Sequence, residues 1–198
     1  MKHLMRRPGV VALVAALVST LAVAGAARSP TYPAGARTGV VRVDRILAAM
    51  QKQDADRMAD LVGYTKLPCT STKPPGYTWI KCKPDEPEGT LVDTFWLGSC
   101  DAASVRADEL DIRSTIQEFM NGGRKLYAVY GWVGRKQPPA RGFGVIFSQE
   151  GEHHSEASIL SIRGNGDLIG IGFSACGHTP ETIWESAEGR AVLAPRTR

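Results

Sequence analysis

The stretch Gly164-Asn165-Gly166-Asp167 stands between two runs rich in β-branched and apolar residues, 157–163 (ASILSIR) and 168–174 (LIGIGFS). Asn-Gly readily adopts the left-handed backbone of a tight hairpin turn, so the two runs are expected to pair antiparallel. Two more strand signals precede them, 125–133 (KLYAVYGWV) and 142–149 (GFGVIFSQ), and an earlier one lies at 90–97 (TLVDTFWL). In the last run Ile169, Ile171 and Phe173 share one face and Gly170 and Gly172 the other. Glycines along one face let a sheet bend or let another element approach closely. The second half of the chain is thereby committed to a sheet.

The first half reads differently. In 40–62 (VVRVDRILAAMQKQDADRMADLV), Val43, Ile46, Leu47 and Met50 fall at i, i+3, i+4 and i+7, the stripe of a helix with one buried face. Thr38 is the expected N-cap. Gln51 to Gln53 interrupt the stripe, Asp54 is placed to cap a second helix, and Ala55, Met58, Leu61 and Val62 resume it. A further helix carries Ile112, Ile116, Phe119 and Met120 on one face and stops at Gly122-Gly123. Thr179-Pro180-Glu181 opens a C-terminal helix expected to run to about Leu193. Between 64 and 88 five prolines exclude a helix or a central strand, leaving a long loop that needs bracing. The order predicts an α+β domain, with N-terminal helices packed on a curved antiparallel sheet.

The N-terminus is a targeting segment by its pattern. Lys2, Arg6 and Arg7 precede an uncharged apolar run, 9–26, that closes on Ala24-Gly25-Ala26. This is the layout of a signal peptide cleaved before Ala27, the alternative being a retained membrane anchor. The expected organisation is a signal peptide at 1–26, a flexible mature N-terminus at 27–39 and a single domain at 40–198. The chain has 24 basic and 20 acidic residues, net +4. The signal takes three basic residues and no acid, leaving 21 against 20. A mature domain this near neutrality gives no electrostatic case for nucleic acid, and it meets a membrane only through the signal segment. Secretion, or export to an extracytoplasmic compartment, is the expected localisation. All four cysteines lie beyond the signal, and an even count in an exported chain reads as disulfides. Of three pairings, the favoured one joins Cys69 to Cys82 across the proline-rich loop and Cys100 to Cys176. No close Cys-x-x-Cys pair supports a zinc site, and no cofactor motif is present.

A long helix, a short polar turn ending in Asp54 and a second helix leading to Leu61, Val62 and Tyr64 resembles the start of the nuclear-transport-factor-two-like superfamily. The resemblance implies a cone-shaped α+β fold whose ligands enter the open end between sheet and helices. In many members a Gly-Asp pair marks the elbow; here it is Gln53-Asp54. Separately, 64–70 (YTKLPCT) with 81–90 (KCKPDEPEGT) resembles a pattern in exported bacterial proteins of no assigned activity.

Members of that superfamily that are enzymes place a carboxylate or histidine in the cone, so ionisable residues within apolar patterns are the candidates. Asp93 alternates with Leu91, Phe95 and Leu97 and would serve as a general base if that face is concave. Tyr127, Tyr130 and Trp132 are candidate pocket walls for a small apolar ligand. His153-His154 are adjacent and point apart in an extended segment, a poor chelate, and no metal site is expected. Three functions are in play: an exported non-catalytic binding or accessory domain; a cofactor-free isomerase, cyclase or hydrolase using Asp93; and an interaction protein with an envelope partner. The first is favoured.

Overall fold

The computed structural model describes residues 31–72, 79–98, 103–133, 141–150, 155–173, 177–187 and 189–196. The proposed signal peptide, His153-His154 and the Cys100–Cys176 pairing lie outside the described residues. Among the described residues no helix is long and apolar enough to cross a membrane.

The chain is α+β. Helices α1 (Val41–Gln51) and α2 (Ala55–Ala59) come first, then strands β1 (Thr65–Pro68), β2 (Leu91–Gly98) and β3 (Ala103–Arg106). Helix α3 (Ile112–Asn121) is followed by β4 (Lys125–Val133), β5 (Arg141–Glu150), β6 (Ser155–Arg163) and β7 (Leu168–Gly172), then α4 (Pro180–Ser186) and β8 (Gly189–Leu193). The sheet runs β1-β2-β7-β6-β5-β4-β8, with β3 also paired to β2. The Asn165-Gly166 hairpin forms between β6 and β7, Gly166 taking φ 104°.

Three expectations are corrected. The sheet is mixed rather than wholly antiparallel, because β2 pairs parallel with β7, Trp96 opposite Gly170. The C-terminal helix ends at Ser186, and the chain returns as β8 along the open edge of β4, Gly131 opposite Arg190. A Cβ on Gly189 would collide with the Gly131 carbonyl, so glycine is what lets β8 approach. Thr38 does not cap α1. The cap position is Val40, and Asp44 reaches back to accept from the Thr38 and Gly39 amides (2.7 and 3.2 Å) and the Thr38 hydroxyl (2.8 Å).

The elbow after α1 is built from two caps in succession. The Asp54 amide donates to Ala49 O (3.0 Å) and the Gln53 amide to Met50 O (3.1 Å), the Schellman pattern that ends a helix. That pattern needs a left-handed residue, and Gln53 supplies it with φ 55°. Asp54 then caps α2, accepting from the Arg57 amide at 2.9 Å.

The main core joins Val43, Ile46 and Leu47 of α1, Met58 of α2, and Ile116 and Phe119 of α3 to strand residues such as Val129, Val145, Leu160 and Ile171. Two bulges change which residues reach it. In β4 the register slips between Leu126 and Ala128, so Leu126 and Val129 enter this core while Tyr127 and Ala128 turn to the other face. In β7 a slip puts Leu168 rather than Ile169 beside Ile171 in the core. On the other face, α4 packs Ile183 and Trp184 over Tyr127, Ala128 and Ile146.

The Cys69–Cys82 disulfide is formed, with Cα atoms 4.9 Å apart, and buries against Ile80 and Val92. Arg106, only 6% exposed, ties the proline-rich loop to β3. Its guanidinium donates to both oxygens of Glu86 (2.7 and 2.8 Å), to Asp108 (3.1 Å) and to Lys81 O (3.3 Å). A buried cation is tolerable when paired this fully.

Candidate functional site

A cavity of about 210 Å³ opens at the end of the molecule where α1 turns into α2. That is roughly seven waters' worth at about 30 Å³ each, smaller than the pocket of a drug-sized ligand. Leu47, Met50 and Gln51 of α1 and Gln53 of the elbow form one wall. Met120, at the end of α3, and Leu126 and Phe147 of β4 and β5 form the opposite one. These side chains are brought there by the same stripe and strand periodicity that build the core; the cavity is where that core runs out.

Tyr32 closes a third side. Its amide donates to Leu126 O at 2.7 Å and its hydroxyl to Ala194 O at 2.6 Å. Tyr32, within the segment expected to be flexible, is thus hydrogen-bonded to β4 and to the residue after β8.

Arg124 and Lys125 complete the lining. Arg124 directly follows the Gly122-Gly123 stop of α3, and a Cβ on Gly122 would collide with its guanidinium. The group lies 4.3 Å from the Phe119 ring centroid and 5.6 Å from that of Phe173. It donates to Ser158 Oγ (2.9 Å), Phe173 O (3.2 Å) and Phe119 O. All three acceptors are neutral. Among the described residues no carboxylate forms an ion pair with it. Burial pulls its pKa below the ordinary guanidinium value, and the charge of Glu118 opposes that only in part. Lys125 is exposed and pairs with Glu150 at 3.3 Å.

The residues singled out from the sequence lie elsewhere. Asp93 is exposed and ion-paired with Lys66, its cross-strand partner in β1, at 2.9 Å. The strand face it shares with Phe95 is buried at Phe95 and open at Leu91, which is 60% exposed. The premise of a desolvated base at Asp93 is thereby corrected: the helices cover only the far half of β2.

Tyr127, Tyr130 and Trp132 are on the sheet face away from α1. Tyr127 is 4% exposed beneath α4, and burial, helped by a hydrogen bond and the charge of Glu181, pushes its hydroxyl up to about 12. Tyr130 lies on Gly144, with its hydroxyl also pushed up by burial, and Trp132 lies on Gly142. Each ring occupies the space that a Cβ would take. None of the three lines the cavity.

The cavity lies between the α1–α2 segment and the sheet, where the sequence reading expected a ligand, and its lining does not include Tyr127, Tyr130 or Trp132. Arg124 was missed. Its one sequence signal is an arginine at the first step from a helix-stopping glycine pair into an apolar strand. Among the described residues no three His, Cys, Asp or Glu side chains gather into a metal-ligating group. No family model, curated protein or solved structure matches this chain.

Proposed function

We propose that this chain is an exported, non-catalytic binding domain of the cone-shaped, nuclear-transport-factor-two-like kind, holding a small apolar ligand in the cavity at the α1–α2 elbow. The observation that carries the reading is the chemistry of the lining. Leu47, Met50, Met120, Leu126 and Phe147 give it apolar walls, and among the described residues no Asp, Glu, His or Cys lines it. A concave, mostly apolar site with few polar groups suits binding. Proton transfer is most often carried by a positioned histidine or carboxylate, and among the described residues this lining has neither. The enzyme reading had rested on Asp93, which is exposed and paired with Lys66. The elbow supports the family reading: Gln53, where many members have glycine, takes the left-handed backbone that glycine adopts most readily, and Asp54 keeps the cap. The Cys69–Cys82 disulfide is compatible with an oxidising, extracytoplasmic location.

Thermal unfolding of the exported protein with neutral apolar probes tests the proposal. A ligand that binds only the folded state at about 100 times its Kd adds about 2.7 kcal/mol. For a chain of this length that raises the midpoint by roughly 5–10 °C. 1-Octanol, cyclohexanol and indole are suitable probes, and at least one is expected to give such a rise. No rise with any of them would remove the binding reading.

A further inference from the structure

The cavity carries a charge imbalance that an apolar ligand alone leaves unanswered. Both cationic groups in its lining, Arg124 and Lys125, lie where the chain enters β4, and among the described residues no acid stands beside them in the wall. Lys125 is neutralised by Glu150 at the surface. Arg124 has no carboxylate ion pair among the described residues: its contacts are a serine hydroxyl, two backbone carbonyls and two aromatic rings. A guanidinium has five N–H donors in a planar fork. Three are used on these neutral acceptors, leaving two. The contrast with Arg106 in the same molecule is direct. Arg106 is buried, more deeply than the half-buried Arg124, and it is surrounded by Glu86, Asp108 and Glu109. Among the described residues the fold thus gives Arg106 three carboxylate ion pairs and Arg124 none, only the more distant charge of Glu118 acting on it.

We propose that the ligand of this cavity is a small amphipathic carboxylate, its head held by Arg124 and its chain lying between Met50, Met120, Leu126 and Phe147. The inference rests on the binding reading above and adds the ligand's class. One uncompensated positive charge matches a monoanion, and two remaining N–H groups match the two oxygens of a carboxylate. The flexible thioethers of Met50 and Met120 suit an unbranched chain that has no fixed shape. The cavity, about 210 Å³, sets a short to medium chain length.

The test is calorimetric titration of the exported protein with octanoate, 1-octanol, octylammonium and octyl phosphate. Octanoate is expected to bind at least about tenfold tighter than 1-octanol, the value of one charge-assisted hydrogen bond, and octylammonium weakest. Arg124→Gln is expected to weaken octanoate by about 10–100-fold and to leave 1-octanol within about twofold. Should that variant fail to fold, the comparison of the four probes on the unsubstituted protein decides. If 1-octanol binds as tightly as octanoate, the carboxylate assignment is overturned while the binding reading stands. Tighter binding of octyl phosphate than of octanoate overturns it as well, in favour of a phosphate head. If no probe binds, both readings fall together.

Discussion

Replacing Gln53 by glycine is expected to stabilise the protein, although it removes a whole side chain. Gln53 is the one non-glycine among the described residues with positive φ, at 55°. A side chain in the left-handed region costs roughly 1–2 kcal/mol through the clash of its Cβ with the backbone. Glycine avoids this and gives back about 0.4–1 kcal/mol through its greater freedom in the unfolded chain. The difference is a net gain of about 0–1.6 kcal/mol, centred near 0.8, which at the centre is a rise of roughly 2–3 °C in the midpoint for a chain of this length. Urea unfolding is the assay, with an unchanged m-value required so that the midpoint reports stability alone. Gln53→Val makes the control, since a β-branched residue at that φ is strained further, and it should fall below the unsubstituted protein. If Gln53→Gly loses about 1 kcal/mol or more, or if Val is tolerated as well as Gly, the elbow is not the Schellman turn described. Gln53 also lines the cavity, which gives a reason for a strained residue where a relaxed one is available.

Two further outcomes follow from the bracing of the proline-rich loop. Replacing Cys69 and Cys82 together by alanine opens a bridge that spans 13 positions, and unfolding stability should drop by about 3 kcal/mol, measured in urea without reductant; a loss near zero would mean that the loop is held by Arg106 alone. Asp108 is held down to about 2 from an ordinary 3.8 by hydrogen bonds first from Arg106 and then from Lys83, and Glu86 is lowered mainly by its bond to Arg106. Because the folded pKa lies below the unfolded one, this stabilisation is complete above about pH 4.5 and is lost as pH falls towards 2. The urea midpoint should therefore decline through that window, and Arg106→Gln should flatten the decline; an unchanged acid limb in that variant would contradict the assignment.

Local signals in the sequence were read well where the structure they specify is local. The Asn165-Gly166 hairpin, the Asp54 cap and the Gly122-Gly123 stop each depend on a few neighbouring residues, and each is present. Alternation told which residues of a strand share a face but not how far a helix layer extends over it. That is why Asp93 and Phe95, on one face of β2, end in opposite environments. A bulge at Tyr127 reverses the phase of β4 midway, and nothing in KLYAVYGWV marks it. Thr179-Pro180-Glu181 announces a helix start and says nothing about its end, which is set by the open edge of β4. The parallel β2–β7 pair and the isolation of Arg124 from acids are properties of contacts between distant segments, and no spacing along the chain records them.

The central claim is that the elbow cavity is a binding site, and the methionine methyl groups test it most directly. Met50 and Met120 line the cavity, whereas Met58 is fully buried in the core and does not. In a methyl NMR titration of ¹³C-methionine-labelled protein with octanoate, the Met50 and Met120 signals should shift together along one saturable curve while Met58 stays in place. Saturable binding that leaves Met50 and Met120 unmoved, or that moves Met58 as much as either, would contradict the account.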